Sequence, residues 1–341
     1  MESTLGEFDL IWRFFKAGSE SMAQTPNSPV LLGIGDDCAL IAPDPAQSLA
    51  ITSDMLVEGR HFFAGANPEW LGHKALAVNL SDLAAMGAKP VGFTLALALP
   101  ESNATWLAQF SHGLFRLAQA WQCPLIGGDT TQGPLTICIT AIGSVPASTA
   151  IKRSGAQVGD DIWVSGTLGD ARLALGALRH EWPLDHVQLE AVVPRMHQPE
   201  PRIALGVGLR GIASAALDVS DGLLGDLRHI LRASQVSAEV DIDALPISKT
   251  LAQQTQAIRW QCAARGGDDY ELCFTAPASK RGLVEALSKP LLPLTRIGRI
   301  GHISVGNDPA IALRDAQGVL LTEEQSVDLM QSFDHFKSSP A

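Results

Sequence analysis

Six short segments of this chain set aspartates beside Gly, Ser or Thr: GIGDDC (Asp36, Asp37), TSD (Asp54), NLSD (Asp82), GGDTT (Asp129), DVSDG (Asp218, Asp221) and GGDDYE (Asp268, Asp269). Several follow apolar runs that read as buried strands. An aspartate at a strand end is a poor core residue and a good oxygen ligand for a hard cation. Mg²⁺ takes carboxylate oxygens plus water and bridges to substrate phosphates. One such aspartate means little. This many, with glycines beside them, point to a multi-metal phosphate site gathered from distant parts of the chain. Thr52 and Ser53 add hydroxyl or carbonyl oxygens next to Asp54.

Each motif also has a plainer reading. GIGDD reads equally as a β-turn, although two adjacent acids repel unless a cation neutralises them. GGDTT lacks the Lys and the spacing of a P-loop, yet Gly127 and Gly128 would let a phosphate approach the backbone. Ser220 and Asp221 could cap a helix, a role that leaves Asp218 unexplained. GGDDYE is either a hairpin turn or a carboxylate that holds a cationic or hydrogen-bonding part of a substrate. His61 is either structural or a donor to an anionic substrate. Arg153 is either a solvated charge or a bidentate phosphate contact.

The elements that must carry these groups follow from periodicity. Residues 29–34 and 49–53 read as neighbouring strands with carboxylates at their tips. Residues 70–87 read as a helix on which Asp82 points where the apolar residues point, costly unless paired or metal-bound. Strands are expected at 90–99, 125–129 and 135–145, the last central, with a helix at 106–121 on a Leu107, Phe110, Leu114, Leu117 stripe. Farther on, strands are expected at 162–165, 215–219 and 238–242, and after GGDDYE, with short strands and turns over 296–305. Helices are expected at 171–178, 202–209 and 223–233, and loop with short helix over 183–201. An amphipathic helix at the start would align Phe8, Ile11, Trp12 and Phe15, and 18–29 reads as largely frayed. Strands and helices alternate in both halves, so each is α/β or α+β, with a boundary near residue 150.

Composition narrows the function classes. Among 341 residues, 25 Lys plus Arg face 36 Asp plus Glu, a net charge of −11. A general nucleic-acid binder needs a basic face, so that class is set aside. An anionic small molecule is not, because carboxylates that recruit Mg²⁺ reverse the local sign of charge. The five cysteines form no CxxC pair and read as reduced, mostly buried thiols of a cytoplasmic protein. No segment reads as a signal peptide, and no apolar run is long enough to span a bilayer.

Together the segments are more specific than any one. GIGDDCAL, TSDMLVEGRHF, KALAVNLSDLAAMGA, LIGGDTTQGPL, RSGAQVGD, LDVSDGL and GGDDYELCF occur in this order. The series resembles the bacterial thiamine-monophosphate kinases from about Gly6 to Phe274, with a weaker echo at FDHF, 333–336. These enzymes belong to an ATP-binding superfamily with aminoimidazole ribonucleotide synthetase and selenophosphate synthetase. The resemblance implies an α/β (α+β), two-domain PurM-like fold: an N-terminal α/β domain over 1–150 with a dimerising sheet, and a C-terminal α+β domain over 151–341. It implies a homodimer, several Mg²⁺ ions, ATP as co-substrate, and conversion of thiamine monophosphate to thiamine diphosphate.

Carried over motif by motif, Asp37, Asp54, Asp82, Asp129 and Asp218 resemble Mg²⁺ ligands, with Thr52 and Ser53 joining them and Asp221 holding a further metal. Gly128, Asp129, Arg153 and Ser220 resemble nucleotide contacts. His61 and Asp268 resemble substrate contacts, although Asp268 stands where the family pattern has Glu. Met330, with Phe333 three residues on, falls where an aromatic is expected to help hold the thiamine. The acceptor phosphate is already anionic, so no catalytic base, nucleophile or phospho-enzyme is expected. Other branches fit less well. Selenophosphate synthetase would call for a reactive Cys before Cys38, and the hydrogenase-maturation relatives for a Cys near the C-terminus, where this chain reads SSPA. No motif favours the purine-pathway branch, and a non-catalytic sensor would have shed metal ligands that are present here.

Overall fold

The computed structural model describes residues 7–23, 28–35, 37–42, 44–288, 292–302 and 309–331. Asp36, the side chain of Phe8, the 333–336 segment and the terminal KSSPA lie outside what is described. The chain divides into two units, Met1–Leu83 with Ala88–Ala150, and Ala84–Gly87 with Ile151–Ala341.

In the first unit a short antiparallel pair, β1 (Val30–Leu32) and β2 (Leu40–Ile41), precedes the main sheet. That sheet comprises β3 (Gln47–Val57), β4 (Lys89–Leu99), β5 (Leu125–Gln132) and β6 (Thr136–Pro146) in the order β3-β6-β4-β5. β6 is central, as its alternating apolar residues require, and pairs antiparallel with both β3 and β4. β4 and β5 are parallel, joined through a helix, as a parallel pair must be. Two helices, α1 (Pro68–Ala85) and α2 (Ala104–Ala120), supply the apolar stripes. Leu76, Leu80 and Leu83 of α1 and Leu107, Phe110 and Leu114 of α2 are buried with Phe93, Leu95, Leu97, Ile137 and Ile139 of the sheet.

β3 differs from expectation. It does not end at Asp54 and does not neighbour β1; it pairs with β6 from Gln47↔Pro146 to Val57↔Thr136. Eleven consecutive pairings outweigh the local turn signal of TSD, so Asp54 sits inside a strand. The GGDTT segment likewise lies within β5 rather than after it. At the start, three helical pieces run Glu7–Leu10, Ile11–Lys16 and Ala17–Ala23, the middle one a π-helix. Its wider turn moves the buried face to Leu10, Phe14 and Phe15 and leaves Trp12 57 % exposed. The Lys16 ammonium covers the Trp12 ring, 3.5 Å from its centroid.

The second unit holds β7 (Asp161–Ser165), β8 (Ala215–Asp218), β9 (Ser237–Asp241), β10 (Leu272–Ala276), β11 (Leu294–Gly301) and β12 (Ile311–Arg314). They form one sheet, β12-β9-β11-β7-β10-β8, antiparallel except for β12 against β9. Helices α3 (Asp170–Leu178), α4 (His186–His197) and α5 (Leu223–Ser234) contribute to its core, with Leu173, Val192, Leu224, Leu227 and Leu231 all buried. Over 183–201, where loop and short helix are expected, α4 takes up twelve residues. It forms despite Pro194 inside it because Asp185 and Gln188 close a capping box at its start.

Candidate functional site

In the first unit the site is built where β3 meets α1. Strand alternation puts Thr52, Asp54 and Leu56 on one face of β3, and Ile51, Ser53 and Met55 on the other. α1 brings Asn79 and Asp82 to the first face. The Thr52 hydroxyl donates to Asp82 Oδ2. The Asp54 N–H donates to Asn79 Oδ1 at 3.1 Å, and the fully buried Asn79 anchors itself by donating to the Ala75 carbonyl. Asp82 is therefore paired, as its inward position demanded, and both Asp54 and Asp82 are half-buried. Ser53, on the opposite face, donates to the Ile139 carbonyl at 3.2 Å and lies 3.0 Å from the Thr140 hydroxyl.

Asp129 stands apart. Its rung runs through Ala96, Cys138 and Met55, whereas that of Asp54 runs through Ile139, Leu95 and Gly128. The two aspartates thus occupy adjacent rungs on the two edge strands, three strand spacings or about 14 Å apart along the sheet. Asp129 is exposed. Gly128 has φ +147°, and a Cβ there would lie 1.9 Å from the Leu95 carbonyl oxygen, so only glycine lets β5 run this close to β4. Asp37 is exposed just after Gly35, whose φ is +131°. His61 accepts the Val57 N–H on Nδ1 at 3.0 Å, which leaves its proton on Nε2.

In the second unit two loops meet at the end of the β8–β10 pair. Asp218, buried, closes β8 opposite Leu272. Ser220 and Asp221 do not cap α5; its N-cap is Gly222, and no side chain caps it. Instead the N–H groups of Ser220 and Asp221 both donate to Asp226 Oδ2 at 3.0 Å. Burial and the nearby Asp221 charge push the Asp226 carboxyl up to about 7. Asp226 was missed in the sequence. Its signal was the LLGD that follows DVSDG, an acid in the first turn of an amphipathic helix, which reads as ordinary dipole complementarity.

GGDDYE is not a hairpin turn. It runs beside the Asp218 loop: the N–H groups of Asp268 and Tyr270 donate to the Ser220 and Val219 carbonyls at 2.8 Å. Asp268 is half-buried and accepts from the Tyr270 hydroxyl at 3.2 Å. Arg153 is exposed, and its carbonyl accepts from the Ser234 hydroxyl. Met330 is half-buried against the core of this unit, just past the helix Glu323–Leu329.

Each unit thus gathers part of the expected set: Thr52, Asp54 and Asp82 in the first, Asp218, Ser220, Asp221 and Asp268 in the second. Among the described residues, no three His, Cys, Asp or Glu side chains lie close enough to hold a metal on their own. The donors at both places are carboxylate and hydroxyl oxygens, the set that Mg²⁺ prefers and completes with water and phosphate.

Residues 35–145 match the family AIR synthase related protein, N-terminal domain, and residues 157–304 its C-terminal domain. The chain is 47 % identical over 300 residues to the thiamine-monophosphate kinase of Salmonella typhimurium, covering 86 % of this chain and 90 % of that protein. The crystal structure of thiamine-monophosphate kinase from Stenotrophomonas maltophilia K279a superposes with a TM-score of 0.81 at 47 % identity, over 90 % of this chain and 97 % of that one. The structure of AaThiL complexed with AMPPCP and TMP superposes with a TM-score of 0.70 at 30 % identity, over 91 % and 93 %.

Proposed function

This chain belongs to the thiamine-monophosphate kinase family and carries out the ATP-dependent phosphorylation of thiamine monophosphate to thiamine diphosphate; we propose that it does so by direct in-line transfer between two polyanions held by its aspartates and Mg²⁺. The observation that carries the proposal is the oxygen-rich contact of β3 with α1, where Asp82 is held by Thr52 and Asp54 by Asn79.

Asp37, Thr52, Asp54, Asp82, Asp129 and Asp218 would hold Mg²⁺, with Asp221 taking a further ion; the Ser53 side chain faces the other side of β3, so Ser53 would join through a backbone oxygen. Bound there, Mg²⁺ supplies charge neutralisation for the phosphate oxygens and alignment of acceptor and phosphoryl group. The protein's own residues do the rest by position. Gly128, whose missing side chain lets β5 pack against β4, would offer its backbone beside Asp129 to the nucleotide phosphates. Arg153 offers a planar fork to phosphate oxygens, and Ser220 a hydroxyl. His61 presents its Nε2–H to the substrate, and Asp268 a carboxylate. Met330 lies on the thiamine side. The acceptor oxygen is already charged near neutral pH, so no side chain need remove a proton from it. Catalysis is positioning and electrostatic stabilisation.

The same reading includes a homodimer in which the four-stranded sheets of two copies pair across a two-fold axis. It is supported by the open face of that sheet, where Leu49, Ile51 and Met55 are 49, 65 and 54 % exposed. It also places the protein in the cytoplasm, where its five free cysteines stay reduced. No helix among the described residues is long and apolar enough to cross a membrane.

The test is to incubate the purified protein with ATP, Mg²⁺ and thiamine monophosphate and follow thiamine diphosphate by chromatography. Product that disappears with EDTA is the expected result. No product, with ATP still bound, overturns the reading.

A further inference from the structure

The GGDDYE segment contains two of the six non-glycine residues with positive φ among the described residues, Asp268 at +67° and Tyr270 at +51°. Both lie in the left-handed region, which side chains rarely adopt. A conformation of this kind persists only where its surroundings over-determine it. Here they do. Asp269, between the two, is 1 % exposed and directs both carboxylate oxygens at the Gly169 N–H, at 2.9 and 3.0 Å. Gly169 is the N-cap of α3, so the helix terminus in the SGTLGD motif is taken by an internal carboxylate rather than offered to a phosphate. Glu271, fully buried, accepts from Arg195 at 2.6 Å, from Arg202 Nε at 2.7 Å and from the Ser165 hydroxyl at 2.6 Å. Gly267 completes the arrangement, since a Cβ there would lie 2.4 Å from the Ser220 carbonyl oxygen.

The consequence reaches both ligand loops. The Asp268 N–H donates to the Ser220 carbonyl and the Tyr270 N–H to that of Val219, so the backbone that carries Asp268 also fixes the loop carrying Ser220 and Asp221. We propose that Asp269 is a positioning residue: seated on the Gly169 N–H, its carboxylate imposes the left-handed turns on either side of it and thereby locks the Asp268 loop and the Ser220–Asp221 loop in one register. The proposal rests on the assignment of Asp268 to thiamine monophosphate and of Ser220 to ATP made above. Asp269 touches neither ligand and acts through the backbone. The role requires an acceptor of the right length more than a charge; burial pushes the Asp269 carboxyl well above its ordinary range.

The experiment compares full-length Asp269→Ala and Asp269→Asn with the parent enzyme, measuring KM for each substrate and kcat per folded molecule, the folded fraction taken from thermal melts. Asparagine keeps one acceptor oxygen for the Gly169 N–H and puts an amide donor in place of the other; alanine removes both. The expected result is that Asp269→Ala raises KM for thiamine monophosphate and for ATP together, each about tenfold or more, while Asp269→Asn stays within about threefold of the parent. A folded Asp269→Ala enzyme with both KM values within about twofold of the parent overturns the proposal, and so does an Asn variant more impaired than the Ala variant. If Asp269→Ala does not fold, Asp269→Ala/Tyr270→Gly is compared with Tyr270→Gly, because glycine adopts the left-handed turn without a clamp; a double variant that folds with both KM values near those of Tyr270→Gly supports the proposal, and one that still does not fold, or whose two KM values stay raised, overturns it. A parent enzyme that forms no thiamine diphosphate refutes the functional assignment instead, so the two failures are distinct.

Discussion

At Asp226 one carboxylate oxygen receives two backbone N–H groups, and this shapes the turn that presents Ser220 and Asp221. Asp226→Ala leaves both donors without that acceptor, at about 1–3 kcal/mol. The expected result is a lower melting temperature and weaker ATP binding together, read by thermal melts and by titration with ATP; unchanged ATP affinity would remove Asp226 from the site. The aspartates proposed to hold metal are expected to behave differently, because in that role they would contribute charge at the reacting groups more than packing. Asp37→Asn, Asp82→Asn and Asp129→Asn are each expected to lower kcat by about 100-fold or more, with small changes in melting temperature. Normal turnover in all three would refute the metal-cluster reading. At this scale the sequence was informative about residue type and poor about surroundings. It marked Asp82 as inward-facing and in need of a partner, and Thr52 provides one. It could not identify Asp226, whose role depends on where the chain folds back.

Among the elements, β5 shows how one glycine fixes a strand's course. Gly128→Ala combines an unfavourable φ with a Cβ against the Leu95 carbonyl. It is expected to destabilise the first unit by about 1–3 kcal/mol from the backbone conformation alone, measured by urea unfolding. In the second unit, β7 begins at Asp161, fully buried and paired with Arg281 at 2.7 Å. The Arg281 hydrogen bond holds this carboxyl below its ordinary range despite the opposing effect of burial. A depressed carboxyl stabilises the fold while ionised, so its contribution is present above the unfolded value near 4 and is lost as pH falls through the lower folded value. Asp161→Asn is thus expected to be less stable than the parent at pH 7, with the gap narrowing below about pH 4. Equal stability at pH 7 would show that the pair contributes nothing. The helices and strands of both units were largely legible from apolar periodicity. The exceptions have local causes: a capping box that holds α4 together around Pro194, and a π turn that rotates Trp12 out to solvent.

For the whole molecule, the open face of the four-stranded sheet is the feature to test. Ile51→Asp places a charge in the exposed apolar row and leaves the helix-covered face untouched. It is expected to break the proposed homodimer, read by sedimentation, without unfolding the chain. A dimer of unchanged affinity would rule out this face as the interface.

The sequence by itself determined the fold class, the family and the chemistry of the candidate ligands, because apolar periodicity and residue type are local properties written in order along the chain. It also singled out the segments from Asp37 to Asp268 as one ordered series. Only the tertiary structure decided how those segments are placed. Long-range pairing with β6 carried β3 past Asp54, and the sheet order set Asp54 and Asp129 on opposite edges. It also joined the Asp218 and Asp268 loops through backbone hydrogen bonds between residues some fifty positions apart in sequence. Such pairings depend on which strands become neighbours, and that choice is made by burial of the whole core rather than by any segment alone.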